Sequence, residues 1–117
     1  MPFIPKGEFV SVARDDEVQE GSMLGVTVRN IPILLSKIGG KIYAMDAVCS
    51  HYYGYLPRGE LRDHVVVCPV HWAQYDIGTG KVVKNVPGYV KLATRRKATD
   101  LRTYEVEVVD NDVRVKV

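Results

Sequence analysis

Apolar and charged side chains alternate near the C-terminal end of the chain with the two-residue period of a β-strand. The pattern is clearest in residues 104–108 and 113–117. Successive side chains of a strand point to opposite faces, so each segment is predicted to be a half-exposed antiparallel strand. No long segment keeps the 3.6-residue apolar period of a helix, and the best helical candidate is the short stretch 15–20 before Gly21.

Short apolar segments bounded by turn residues recur along the rest of the chain. The sequence has 20 valines and 6 isoleucines, whose branched side chains favour strands. Gly39-Gly40, Gly78-Thr79-Gly80 and Asn111 lie between pairs of these segments, as hairpin turns should. The sequence therefore predicts an all-β fold with antiparallel sheets, and the predicted strands are 8–13, 23–28, 31–37, 41–45, 64–68, 74–77, 81–83, 101–109 and 112–117.

Length and charge narrow the class of protein. With 117 residues the chain is predicted to form one domain, 1–117, and its net charge of +2 is too small to indicate nucleic-acid binding. No apolar run approaches the roughly 18 residues of a membrane span. The first residues lack the apolar stretch of a signal peptide, so we expect a cytoplasmic protein.

Two cysteines and two histidines form the candidate chemistry. Cys49 and His51 make a C-x-H motif, Cys68 and His71 make a C-x-x-H motif, and sixteen residues separate the two. In an intracellular protein such a set indicates metal binding more often than a disulfide. The ligand types alone fit a structural Cys₂His₂ zinc site equally well. The third histidine, His64, lies outside both motifs and is expected at the surface.

The residues around these motifs resemble the Rieske [2Fe–2S] signature, which a zinc site does not need. From about residue 8 to its end the chain is similar to small Rieske-type ferredoxins, both archaeal ones and those of ring-hydroxylating dioxygenases. The resemblance implies an antiparallel β-sandwich with a cluster-binding subdomain, about 46–88, inserted between outer strands that pair with each other. It rests on the two motifs with Leu56, Gly59, Tyr75-Asp76, Thr79-Gly80 and Pro87.

The resemblance also implies the cofactor, its ligands and the function. Cys49 and Cys68 would bind one iron of a [2Fe–2S] cluster, and His51 and His71 would bind the other, with their imidazole edges near the surface. We expect a one-electron carrier between a reductase and an acceptor such as an oxygenase, not an enzyme. The alternatives are the small Rieske subunit of a redox enzyme resembling nitrite reductase and, third, a zinc-stabilised module.

Departures from the respiratory Rieske proteins bear on the reduction potential. Those proteins carry a disulfide between the cluster loops, which this chain cannot form because Cys49 and Cys68 are its only cysteines. They also carry a serine where this chain has Ala73, whereas their tuning tyrosine is matched by Tyr75. We therefore expect one of two tuning hydrogen bonds, and a potential in the lower part of the Rieske range of about −150 to +300 mV.

The remaining candidate residues would either shield the cluster from solvent or dock a redox partner. Leu56, Trp72 and Pro87 are expected to shield the cluster, and Tyr52 and Tyr53 either form a contact surface or simply pack the loop. An insertion at about 88–100 is basic, and it is expected either to dock an acidic redox partner or to form a solvated surface loop. Its charged residues are Lys91, Arg95, Arg96 and Lys97 against Asp100 alone.

Overall fold

The computed structural model, which describes residues 7–51 and 54–117, contains three antiparallel sheets. The first sheet has the order β1-β11-β10, the second β2-β3-β4-β9 and the third β5-β6-β7-β8. The strands are β1 (Phe9–Arg14), β2 (Met23–Val28), β3 (Ile31–Ile38), β4 (Lys41–Asp46), β5 (Glu60–Arg62), β6 (Val65–Val67), β7 (Gln74–Asp76), β8 (Val82–Lys84), β9 (Thr103–Tyr104), β10 (Val106–Val109) and β11 (Asp112–Lys116).

The first sheet joins the two ends of the chain, because β1 pairs with β11 in the register Val10 to Val115. Every second residue of β11 faces inward, and Val113 and Val115 are completely buried. Val108 and Val109 of β10 remain exposed. The prediction that outer strands pair with one another is therefore confirmed.

The second sheet separates two hydrophobic cores. In β3, Leu34 packs with Met45 in one core, whereas its neighbours Ile33 and Leu35 face the other core. Consecutive apolar residues in β3 thus reflect burial of both faces of the strand. The core on the Leu34 side also contains Cys49, so the candidate site is part of this hydrophobic core.

The third sheet is small and lies in sequence between β4 and β9. Its strands have three residues each, and backbone pairing, such as that of Val66 with Tyr75, holds them in register. β6 leads directly to Cys68, and β7 carries Tyr75. The third sheet is therefore the element that positions the second candidate motif.

Four differences separate the predicted elements from the observed ones. β5 was not predicted because its three residues hold a single apolar side chain, Leu61. The predicted strand 101–109 is divided at Glu105 into β9 and β10, and the candidate helix at 15–20 is only the 3₁₀ turn Asp15–Glu17. The insertion contains a helix, α1 (Gly88–Thr94), which is too short to show a helical period and buries only Val90.

No helix in the described part of the chain, residues 7–51 and 54–117, is long and apolar enough to cross a membrane.

Candidate metal centre

Two tight loops carry the four candidate ligands. In the first loop the Cys49 amide donates a hydrogen bond to the Gly54 carbonyl at 2.8 Å. In the second loop the Cys68 amide donates to the Ala73 carbonyl at 2.8 Å, and the Trp72 amide donates back to the Cys68 carbonyl at 3.2 Å. Trp72 adopts a φ of +64°, a conformation that non-glycine residues rarely take and that costs about 1 kcal/mol or more. Both loops are therefore closed by their own backbone.

The two thiols lie together in the core. Cys49 and Cys68 are not joined in a disulfide, and both are almost completely buried. The hydrogen bond with Cys49 and, second, burial raise the pKa of the Cys68 thiol. A β-carbon at Gly54 would stand 2.6 Å from the Cys68 sulfur, so only glycine allows the first loop to pass this close. Sequence reasoning did not identify this packing role of Gly54.

The two imidazoles also lie together. The Nδ1 atoms of His51 and His71 are 3.3 Å apart, and their rings meet edge to face with centroids 5.0 Å apart. His51 is 1% exposed, whereas His71 is half-buried. The expectation that both imidazole edges reach the surface is therefore wrong for His51 and holds only for His71.

The donors thus form two like pairs, one of sulfur and one of nitrogen. Within the described ranges, no three Cys, His, Asp or Glu side chains gather into a group for a metal ion. Two thiols this close cannot both ionise easily without a neighbouring positive charge, and a bound metal supplies that charge. The donor chemistry fits a binuclear iron group with two thiolates on one iron and two imidazoles on the other.

Tyr75 is a buried hydrogen-bond partner of the sulfur pair. Its hydroxyl lies 3.0 Å from the Cys49 sulfur and 3.0 Å from the Ser50 hydroxyl. Burial first, and the Cys49 hydrogen bond second, raise the pKa of Tyr75, so the hydroxyl keeps its proton at neutral pH. Ala73 is also completely buried and brings no polar group to the site.

Ser50 ties the first loop to the insertion, a role that sequence reasoning did not identify. Its hydroxyl donates to the Thr99 carbonyl at 2.6 Å and accepts from the Thr99 amide at 2.8 Å. Asn85 makes a similar pair of bonds with the backbone of Ala98, each at 3.0 Å. The C-terminal end of the insertion is therefore fixed to the site at two points.

α1 lies beside the imidazole pair. Val90 and Ala98 of the insertion are buried in the same core as the two cysteines. Thr94, the last residue of α1, places its hydroxyl 3.0 Å from Nε2 of His51. On the outside of α1, Tyr89 is 69% exposed and Leu92 is 82% exposed. None of these contacts was predicted, because nothing in the sequence shows that the insertion returns to His51.

The other predicted residues are placed as follows. Leu56 is completely buried in the site core, whereas Trp72 is 53% exposed. Pro87 is half-buried and precedes α1, where its carbonyl accepts hydrogen bonds from the first turn of the helix. His64 is exposed, as predicted. Arg95, Arg96 and Lys97 are exposed as well, and Tyr52 and Tyr53 lie outside the described residues.

Comparison with known proteins defines the class. Residues 8–105 match the family model of the Rieske [2Fe-2S] domain. The ferredoxin component of the naphthalene 1,2-dioxygenase system of Pseudomonas aeruginosa is 35% identical over 91 residues, covering 73% of this chain and 88% of the relative. The ferredoxin component of the biphenyl 2,3-dioxygenase of Rhodococcus jostii (strain RHA1) is 34% identical, covering 89% and 88%. The chain therefore belongs to the Rieske [2Fe–2S] family.

A solved structure supports the fold. The ferredoxin of carbazole 1,9a-dioxygenase from Nocardioides aromaticivorans IC177 superposes with a TM-score of 0.77 at 24% identity, covering 92% of this chain and 95% of that one. The chain carries a Rieske-type [2Fe–2S] cluster, and it is an electron-transfer protein rather than a catalytic enzyme.

Proposed function

We propose that Cys49 and Cys68 bind one iron of the cluster and that His51 and His71 bind the other. The pairing of thiol with thiol and of imidazole with imidazole supports this assignment. When bound, the cluster accepts and releases one electron. Retention of all four donors favours a working redox centre over the nitrite reductase-like alternative, because some related subunits have lost their ligands.

The protein's own side chains set the environment of the centre. In the holoprotein the Cys49 sulfur would be a thiolate, which can only accept, so the buried Tyr75 hydroxyl would donate to it. This hydrogen bond would favour the reduced state, because it stabilises additional negative charge on sulfur. Ala73 offers no second donor, so the potential lies in the lower part of the Rieske range. Leu56 excludes water from the thiol pair, and Trp72 and Pro87 give partial cover from the outside.

His71 is the side chain through which electrons leave or enter. His51 is almost completely buried, whereas His71 is only half-buried and keeps part of its side chain accessible. A partner therefore approaches one imidazole and not both. This asymmetry is the structural feature that most clearly defines how the chain exchanges electrons.

The partners are an electron-donating reductase and an electron-accepting oxygenase or related oxidoreductase. This assignment is supported by the relatives described above, which are ferredoxin components of dioxygenase systems. We place the protein in the cytoplasm, because a Cys/His set of this spacing indicates metal binding in a reducing compartment rather than a disulfide. The whole chain, 1–117, acts as a single domain whose cluster-binding subdomain spans about 46–88.

The outer surface of α1 and the residues after it form a docking surface for an acidic partner. Tyr89 and Leu92 supply exposed apolar area, and Arg95, Arg96 and Lys97 supply exposed positive charge. Apolar contacts surrounded by charge are typical of protein interfaces, and opposite charge accelerates association. The α1 docking surface, defined by these five residues, is connected to His51 through Thr94, and the His51 ring contacts the more exposed His71. Tyr52 and Tyr53, which follow His51 in the sequence, are further candidate docking residues.

Metal analysis of the purified protein tests the ligand assignment. Two iron and two acid-labile sulfide per chain are expected, together with a reduced-state EPR signal at a lower average g value than all-cysteine clusters give. Cys49→Ser, His51→Ala, Cys68→Ser and His71→Ala should each abolish that signal, while the control His64→Asn should retain it. One zinc per chain without sulfide would overturn the electron-carrier assignment.

A further inference from the structure

The hydroxyl of Thr94 makes a directional hydrogen bond with His51. Its Oγ1 atom lies 2.8 Å from the Val90 carbonyl, four residues earlier in α1, and 3.0 Å from Nε2 of His51. The single hydroxyl proton is donated to the carbonyl, which can only accept. The oxygen is therefore left as an acceptor, and His51 donates its Nε2 proton to Thr94.

This bond determines which ring nitrogen of His51 faces the metal centre. With the proton on Nε2, the lone pair lies on Nδ1, and Nδ1 is the atom that faces His71 at 3.3 Å. A hydrogen-bond acceptor on the outer nitrogen of a ligand histidine fixes its orientation and raises its basicity. A more basic ligand stabilises the oxidised state of the iron that it binds, so the bond lowers the reduction potential.

The position of the Thr94 hydroxyl is itself fixed. Arg95 follows with a φ of +57° and ends α1 immediately after Thr94. Beyond it, Ala98 and Thr99 are held by Asn85 and Ser50. The helix end is therefore anchored on both sides of the contact, and the hydroxyl does not depend on a flexible loop for its placement.

We propose that Thr94 is a positioning residue for His51, which orients the imidazole and lowers the midpoint potential of the cluster by accepting the Nε2–H hydrogen bond. The proposal rests on the proposed function, in which His51 is an iron ligand. It gives the insertion a role in setting the potential that is separate from any role in docking.

The test is a redox titration of holoprotein variants at one fixed pH. Thr94→Val removes the acceptor at nearly constant volume and should shift the equilibrium about fivefold toward the reduced state. At ~59 mV for each tenfold change, the midpoint rises by about 40 mV. Thr94→Ser keeps the hydroxyl and should restore the wild-type potential. Thr27→Val makes the same exchange at an exposed position in β2 and should change nothing.

A second readout is the ¹⁵N hyperfine coupling of the two imidazoles in the reduced state. Thr94→Val should alter one coupling and leave the other unchanged.

An unchanged midpoint potential with full iron and sulfide would overturn the role of Thr94 and leave the ligand assignment intact. Thr94→Ala makes the deletion without a branched side chain. If both deletions lose the cluster while Thr94→Ser retains it, Thr94 acts on assembly and the tuning proposal is wrong. Absence of the Rieske signal in wild-type protein would instead overturn the proposed function.

Discussion

The hydroxyl of Tyr75 lies 3.0 Å from the sulfur of Cys49, and both side chains are buried in the same hydrophobic core. The hydroxyl stays protonated because burial and the neighbouring sulfur raise the pKa of Tyr75. The hydrogen bond is therefore available over the whole physiological pH range. It joins β7 to the first ligand loop and makes one side chain both a packing element and an electrostatic one.

Tyr75→Phe removes this donor and keeps the ring. We expect a lower midpoint potential, by on the order of 50 mV, because a net hydrogen bond of about 1 kcal/mol no longer stabilises the reduced state. A potentiometric titration measures the change. Tyr104→Phe is the matched control: the Tyr104 hydroxyl donates to Asp46 at 2.6 Å in another part of the fold. An equal shift in both variants would contradict a local effect of Tyr75.

Ala73→Ser is expected to act in the opposite direction. The added hydroxyl lies in the buried second ligand loop, where it supplies a donor to the cluster that the wild-type chain lacks. The midpoint should rise by an amount similar to the loss in Tyr75→Phe. Ala44→Ser adds a hydroxyl in the other core and should lower stability without moving the potential. No rise in Ala73→Ser would show that the serine does not reach the cluster.

The sequence predicted best what depends on neighbouring residues along the chain. The strand Met23–Val28 was predicted with its observed bounds because turn residues delimit it. The candidate ligands followed from two short motifs. What brings distant segments together was not predictable: Thr94 is 43 residues from His51, and no local pattern indicates their contact. The burial of His51 follows from such packing, so sequence reasoning placed its edge at the surface.

Ser50→Ala should loosen the insertion from the first ligand loop. Both hydrogen bonds between Ser50 and Thr99 use the backbone of Thr99, so Thr99→Ala should be neutral. Ser50→Ala also removes the contact with the Tyr75 hydroxyl, so the loss of three bonds at about 1 kcal/mol each predicts a destabilisation of roughly 2–3 kcal/mol. Urea unfolding monitored by circular dichroism measures it. Equal stability of the Ser50→Ala variant and wild type would mean that the other contacts of the insertion, such as those of Asn85 and Val90, hold it without Ser50.

The Glu20 carboxylate, at the hairpin between β3 and β4, should make the stability of the fold depend on pH. Its carboxylate accepts the amides of Gly40 and Gly39 at 2.8 and 2.7 Å, and these bonds, that of Gly40 first, lower the pKa of Glu20. A lowered folded-state pKa contributes stability above the ordinary glutamate pKa, and this is lost as pH falls through the folded value.

Glu20→Gln should therefore lower the melting temperature at pH 7, with a difference from wild type that shrinks as the pH falls below about 4, the usual range of a free glutamate. Calorimetric melting from pH 7 to pH 3 measures this convergence. Glu8→Gln removes an exposed carboxylate near β1 and serves as the control. A difference that stays constant with pH would argue against ionisation of Glu20 as its source.

Reversing the charge of the α1 docking surface should slow electron exchange with an acidic partner. In the variant carrying Arg95→Glu, Arg96→Glu and Lys97→Glu, we expect slower reduction by the reductase component of a dioxygenase system at low salt. The rates of variant and wild type should converge at high salt, because the Debye length falls from about 10 Å at 0.1 M to about 3 Å at 1 M. Stopped-flow absorbance measures both rates.

Two controls separate docking from general charge effects. The control variant reverses three other exposed charges: Arg29 in the turn between β2 and β3, Lys41 of β4 and Lys116 of β11. It makes the same change in net charge away from α1. Oxidation by the anion hexacyanoferrate(III) should be slowed more by the α1 variant, because the reversed charges follow directly after Thr94, the neighbour of His51. If both triple variants slow the reductase equally, only net charge matters, and the insertion is a solvated surface segment rather than a docking site.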